Sequence, residues 1–162
     1  MKGRISVVLL LVLLVLLVTG ASAWWLQRDG SLALTGRACR SAITIIAPDN
    51  NRQLRIGIAF DFFSSEQGRL TIRGYLDAHG RSRIVERHVS FRYRLQGDQL
   101  TMVSERIRRT PADTVPNVEL HNLLPSIYLT PGADEYYQFY RQAPDGFIIV
   151  REFVPLGYCK LE

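Results

Sequence analysis

Lysine is nearly absent from this chain. Lys2 and Lys160 are the two present, and arginine supplies the rest of the 20 basic side chains. Cysteine is limited to Cys39 and Cys159, and histidine to His79, His88 and His121. None of these residues stands at the short paired spacing of a zinc site, so no metal or other cofactor is expected. A phosphate loop, a nucleophile elbow and a metal-ligand pair are all missing, and nothing points to an enzyme. Charge of one sign never accumulates in a run. The net charge is +5, and Lys2 and Arg4 account for two of those charges. Such a weakly basic, mixed surface argues against direct binding of nucleic acid. Internal repeats and low-complexity segments are also lacking.

What the chain does have is one long uncharged run, residues 5–26, rich in Leu and Val. As a helix it would cover about 33 Å at 1.5 Å per residue, against a hydrocarbon core of roughly 30 Å. Lys2 and Arg4 precede it, which places residues 1–4 in the cytoplasm by the positive-inside rule. Trp24 and Trp25 would then sit at the far interface, where aromatic rings gather. The run reads as a retained signal-anchor. The alternative is a cleaved signal peptide, with Ala21-Ser22-Ala23 as its small-residue cleavage site. No cysteine stands directly at the end of the run, so there is no lipoprotein-type attachment site. Both readings export residues 27–162: a linker over 27–38, then a domain over 39–162 large enough for a real core.

The exported compartment bears on the cysteines. An even pair near the two ends of an exported domain reads as a disulfide between Cys39 and Cys159. It would close a loop of about 120 residues, worth roughly 4–5 kcal/mol in the chain-entropy picture.

Period-2 alternation dominates the domain and predicts a mainly β fold. Residues 40–47 form a β-rich run ending at a Pro-Asp-Asn-Asn turn. Over 53–63, Leu54, Ile56, Ile58, Phe60 and Phe62 share one face. Residues 69–76 repeat the pattern with Leu70, Ile72 and Leu76, and Gly74 at an inward position marks a bulge or a close backbone approach. Over 84–95 the apolar face is Val85, Val89, Phe91, Tyr93 and Leu95. Over 99–108, Thr101, Val103 and Ile107 alternate against Met102, Ser104 and Arg106. Short turns between these last four runs predict an antiparallel meander.

Residues 109–130 break the rhythm with Pro111, Pro116 and Pro125. Residues 117–124 (NVELHNLL) predict about two helical turns inside a packed plug; the functional alternative is a mobile lid or docking segment. Residues 135–141 and 147–153 predict a late hairpin. If Cys159 meets Cys39, the last strand lies near the first, as in a closed or nearly closed sheet. Residues 135–141 carry rings on both faces: Tyr136, Tyr137, Phe139 and Tyr140. One face packs the core, and the other needs a cover from the plug, a partner or an apolar ligand. With Leu123 and Leu124 of the plug, these rings form the candidate partner or ligand surface.

The layout as a whole resembles a family. A basic start, an apolar span and an early Cys precede strands reading GRLTIRGYL and IVERHVSFRYRL, followed by LLPSIY and a closing FVPLGYC. This looks like the FidL-like membrane proteins of enteric bacteria. It is also similar in build to the ToxS-type partners of ToxR-like regulators. The resemblance implies a single-pass, N-in protein of the bacterial inner membrane with its domain in the periplasm. It implies that the domain engages the periplasmic part of a single-span regulator and protects it. It also implies a composite barrel that admits an apolar or bile-type ligand. It supplies no catalytic residues. Two other readings of the chain stand beside it, a lone periplasmic domain for an apolar ligand and an envelope structural or adhesion accessory protein.

Overall fold

The computed structural model describes residues 14–17, 19–20, 34–48 and 51–162. The chain divides into two compact units, Met1–Leu32 and Ala33–Glu162. In the first, the described residues are helical, and Thr19 Oγ1 donates to the Val15 carbonyl at 2.9 Å. Most of the apolar run lies outside the described residues, as do Lys2, Arg4, Trp24 and Trp25. Among the described residues no helix is long and apolar enough to cross a membrane.

The second unit is a closed barrel of eight antiparallel strands paired in chain order. The strands are β1 (Ala38–Ile46), β2 (Arg52–Phe62), β3 (Gln67–Ala78), β4 (Arg81–Gln96), β5 (Gln99–Arg109), β6 (Asp134–Gln142), β7 (Gly146–Arg151) and β8 (Val154–Leu161). The alternation read from the sequence is the cause of the burial pattern. Leu54, Ile56, Ile58, Phe60 and Phe62 all point inward, as do Leu70, Ile72 and Leu76. At Gly74 an added Cβ would lie 1.9 Å from the Arg55 carbonyl oxygen, so β2 and β3 pack as closely as they do only because no side chain intervenes. The pairing there is regular, which leaves close approach rather than a bulge as its role.

The lumen is filled. Toward the Ala38 end, Phe60, Phe62, Phe91, Tyr93, Tyr137, Phe139 and Phe147 form one aromatic cluster, with ring centroids 5.1–6.4 Å apart. Most of these contacts are edge-on, the arrangement the ring quadrupoles favour. The other end is stoppered by the β5–β6 connection, which buries Val115, Leu120, Leu123, Leu124, Ile127, Tyr128 and Leu129. This connection is the plug expected from the sequence. Its helical content is smaller than expected: one turn at Asn117–Leu120, then a 3-10 turn at Ser126–Tyr128. Pro125 explains the break, since residues before proline leave the helical region.

Three further expectations are corrected. Residues 34–37 belong to the barrel unit rather than to a linker: Leu34 is buried, and Gly36 N–H donates to the Phe62 carbonyl. The strand expected to run through residue 153 ends at Arg151, because Glu152 and Phe153 make a two-residue turn into β8 with φ of 48° and 68°. Finally, β5 contains a bulge. Ser104 pairs with Phe91 and Arg106 with Ser90, leaving Glu105 as the extra residue. Beyond it the faces exchange, so Ile107 pairs with the buried Val89 instead of sharing the outer face with Thr101 and Val103.

Candidate partner-binding surface

The barrel closes through a short seam. β1 and β8 share two register pairs, Cys39 with Leu161 and Arg40 with Lys160. The expected disulfide lies here: Cys39 and Cys159 are bonded, with 5.3 Å between their Cα atoms. Glu162 N–H donates to the Ala38 carbonyl at 2.9 Å, and Arg40 Nε to Glu162 Oε2 at 2.7 Å. Past Arg40 the regular pairing ends, although β8 still lies against β1 at Gly157, where an added Cβ would be 2.8 Å from Ser41 Oγ and 3.6 Å from Ile43 Cγ2. The cause is in β8: Leu156 is bulged out between Gly157 and Pro155, and Pro155 has no N–H to give.

The end of the pairing leaves an edge on β1. In an antiparallel strand, backbone groups point alternately to the two neighbours. Ala38 faces β8 through its carbonyl, so Ala42, Thr44 and Ile46 direct theirs the same way, beyond the last β8 pair. The side chains of these three residues are exposed. Ile43 and Ile45, which pair with the buried Ile56 and Leu54, are only half-buried, unlike the inward residues of β2. An unpaired edge beside half-covered apolar side chains is the arrangement that accepts an added strand.

The outer face next to this edge is apolar. Register places Tyr140 beside Ile148 and Ile148 beside Tyr158, across β6, β7 and β8. Tyr136 is 64% exposed, Tyr140 44%, and Phe153, at the tip of the strained β7–β8 turn, 93%. Positive φ at an aromatic residue is uncommon and costly. A groove of about 310 Å³ lies between Tyr136 and Phe153, with Leu100, Tyr137 and Val150 also lining it.

The six residues singled out from the sequence therefore separate. Tyr136 and Tyr140 are on the outer face. Tyr137, Phe139, Leu123 and Leu124 are buried, between 0% and 5% exposed, and serve as core and plug. The Tyr137 hydroxyl is buried and, among the described residues, the neighbouring Tyr128 hydroxyl is the group it interacts with most closely. Burial pushes Tyr128 up to about 12 and Tyr137 well above the usual tyrosine range.

Sequence reasoning missed the buried charge. Arg87 lies on the inward face of β4 and is 0% exposed. Its Nε donates to Asp113 Oδ2 at 2.9 Å, Nη1 to Asn117 Oδ1 at 2.7 Å and Nη2 to the Val115 carbonyl at 3.0 Å. Asp113 also accepts from Glu86 N–H and Val115 N–H. The network ties the plug to the wall. The available signal was a lone Arg between Val85 and Val89 on an otherwise apolar face. Among the described residues no group of three His, Cys, Asp or Glu side chains is placed to hold a metal ion.

Fold and surface together define the class: a disulfide-stapled, plugged eight-stranded barrel with a strand edge beyond the β1–β8 pairing. The model of the YqeJ C-terminal domain family matches residues 36–159, and the chain belongs to that family. The match covers every strand of the barrel except the last two residues of β8, and it gives no support to the FidL-like resemblance. No curated protein matches the chain.

Proposed function

We propose that this protein is a membrane-tethered accessory subunit without catalytic activity. In this reading it binds and stabilises the periplasmic domain of a ToxR-like single-span regulator by accepting or donating a strand at the β1 edge. The observation that carries the reading is the backbone edge at Ala42, Thr44 and Ile46, lying over half-covered Ile43 and Ile45. The exposed rings of Tyr136, Tyr140 and Phe153 support it as the side-chain part of the same interface. The uncharged run over residues 5–26 supports tethering. Two proteins held on one membrane meet at raised effective concentration, so a short edge suffices. The packed aromatic lumen favours this reading over a lone barrel that carries an apolar ligand. A bile-type ligand would have to enter at the interface.

The test is co-purification. Full-length protein is co-expressed with the ToxR-like regulator of the same host, extracted in mild detergent and run on size-exclusion chromatography. Co-elution is expected. Thr44→Pro should abolish it without unfolding the barrel, because proline at an outward-facing edge position removes a donor that no neighbouring strand uses. Tyr136→Asp and Tyr140→Asp should weaken it. Independent elution of the wild type, with regulator half-life unchanged in a deletion strain, would reject the proposal. Recovery of a soluble form beginning at Trp24 would reject the tether.

A further inference from the structure

The outer face of β3, β4 and β5 carries a second feature, independent of the seam. Register aligns Arg69 with Ser90 and Ser90 with Arg106, and in the next row Thr71 with His88 and His88 with Arg108. Directly opposed residues on neighbouring strands have Cβ atoms about 4.5–5.5 Å apart. The three arginines with His88 and Ser90 line an open groove of about 400 Å³.

Several arginines of the barrel are matched to carboxylates, while Arg37, Arg81, Arg94 and Arg141, like those of the cluster, make no ion pair among the described residues. Arg55 meets Asp77 at 2.6 Å, Arg92 meets Glu105 at 2.7 Å and Arg151 meets Glu135 at 2.5 Å. Arg69, Arg106 and Arg108 have no ion-pair partner among the described residues. Asp61 lies across the strand from Arg69, beyond ion-pairing distance, and Arg69 rests over the Phe63 ring at 5.2 Å. The bulge at Glu105 builds the cluster. It turns Arg106 and Arg108 outward, where unbroken alternation would send them inward after Met102 and Ser104. His88 is held through Nδ1 by the Thr71 hydroxyl at 3.1 Å, which leaves Nε2 without a hydrogen-bond partner among the described residues.

Like charges gathered on one sheet face repel one another, and a bound anion removes that cost. Guanidinium forks fit phosphate oxygens in pairs, and the Ser90 hydroxyl adds a further donor. We propose that this groove binds a phosphoryl group, either as free phosphate or as the phosphate of an anionic lipid headgroup.

The full-length protein in a non-ionic detergent, at about 0.15 M NaCl to screen diffuse attraction, is compared with R106Q/R108Q and with R55Q as a charge control. One arm titrates inorganic phosphate, with thermal unfolding and calorimetry as readouts. The other dopes the micelles with short-chain phosphatidylglycerol. Stabilisation of the wild type and R55Q that is about tenfold weaker in R106Q/R108Q supports the site. If phosphate up to about 10 mM gives the effect, the ligand is free phosphate; if phosphatidylglycerol alone does, it is a headgroup. An equal response of all three proteins in both arms, or no response in either, overturns the proposal. Circular dichroism of R106Q/R108Q should match the wild type, since both side chains are exposed.

Discussion

Arg87 and Asp113 are the residues at which a single substitution should cost most. Both side chains are 0% exposed, and each satisfies several hydrogen bonds of the other element. Asp113→Ala leaves the Arg87 charge buried without its counter-ion. A loss of about 3–5 kcal/mol is expected in denaturant unfolding, the usual range when one member of a buried pair is removed. A change below 1 kcal/mol would show that water reaches the site. The opposite sign is expected at the β7–β8 turn. Glu152→Asn with Phe153→Gly relieves two positive φ angles and should raise stability by about 0.5–2 kcal/mol, while weakening partner binding. An inward Arg is legible only once its counter-ion is known, and Asp113 sits 26 positions away in a segment without periodicity. Glu-Phe carries none of the residues that signal a two-residue turn, so the apolar pattern of β7 runs on through it.

Elements that alternate strictly were legible almost to their ends, because a half-buried strand writes its two faces into the sequence. β5 shows the limit. A bulge exchanges the two faces without any change of composition, so Ile107, Arg106 and Arg108 could not be assigned. The exposed half of the candidate surface was equally ambiguous: Tyr136-Tyr137 and Phe139-Tyr140 place rings on both faces, and only the barrel's closure says which is inside. The plug responds to acid. A hydrogen bond from Arg83, aided by its charge, holds the Glu119 carboxyl below its usual range. A carboxyl with a depressed folded pKa contributes stability above its unfolded pKa, about 4.3, and loses it as pH falls through the lower folded value. Amide hydrogen exchange of residues 114–124 is therefore expected to speed up, relative to the barrel strands, below about pH 4. Equal behaviour of plug and strands would show that this pair does not hold the plug.

On the scale of the whole molecule, closure rests on the seam, where two register pairs and one covalent bond join the last strand to the first. Cys159→Ser should cost about 2–5 kcal/mol and loosen the β8 amides first. The pairing of Cys39 with Cys159 was readable from the count of two cysteines and the export expected of the domain. The end of the strand pairing beyond it was not, since it depends on where Pro155 and the Leu156 bulge fall relative to β1. That edge is also where the functional proposal is most exposed. The most direct measurement is residue-resolved hydrogen exchange on the full-length protein, alone and with the regulator's periplasmic domain. Alone, the amides of Ala42, Thr44 and Ile46 should exchange quickly while their neighbours facing β2 are protected. In the complex these three should slow by about 100-fold or more, the signature of new strand pairing. A complex that forms with their exchange unchanged would contradict strand addition at β1.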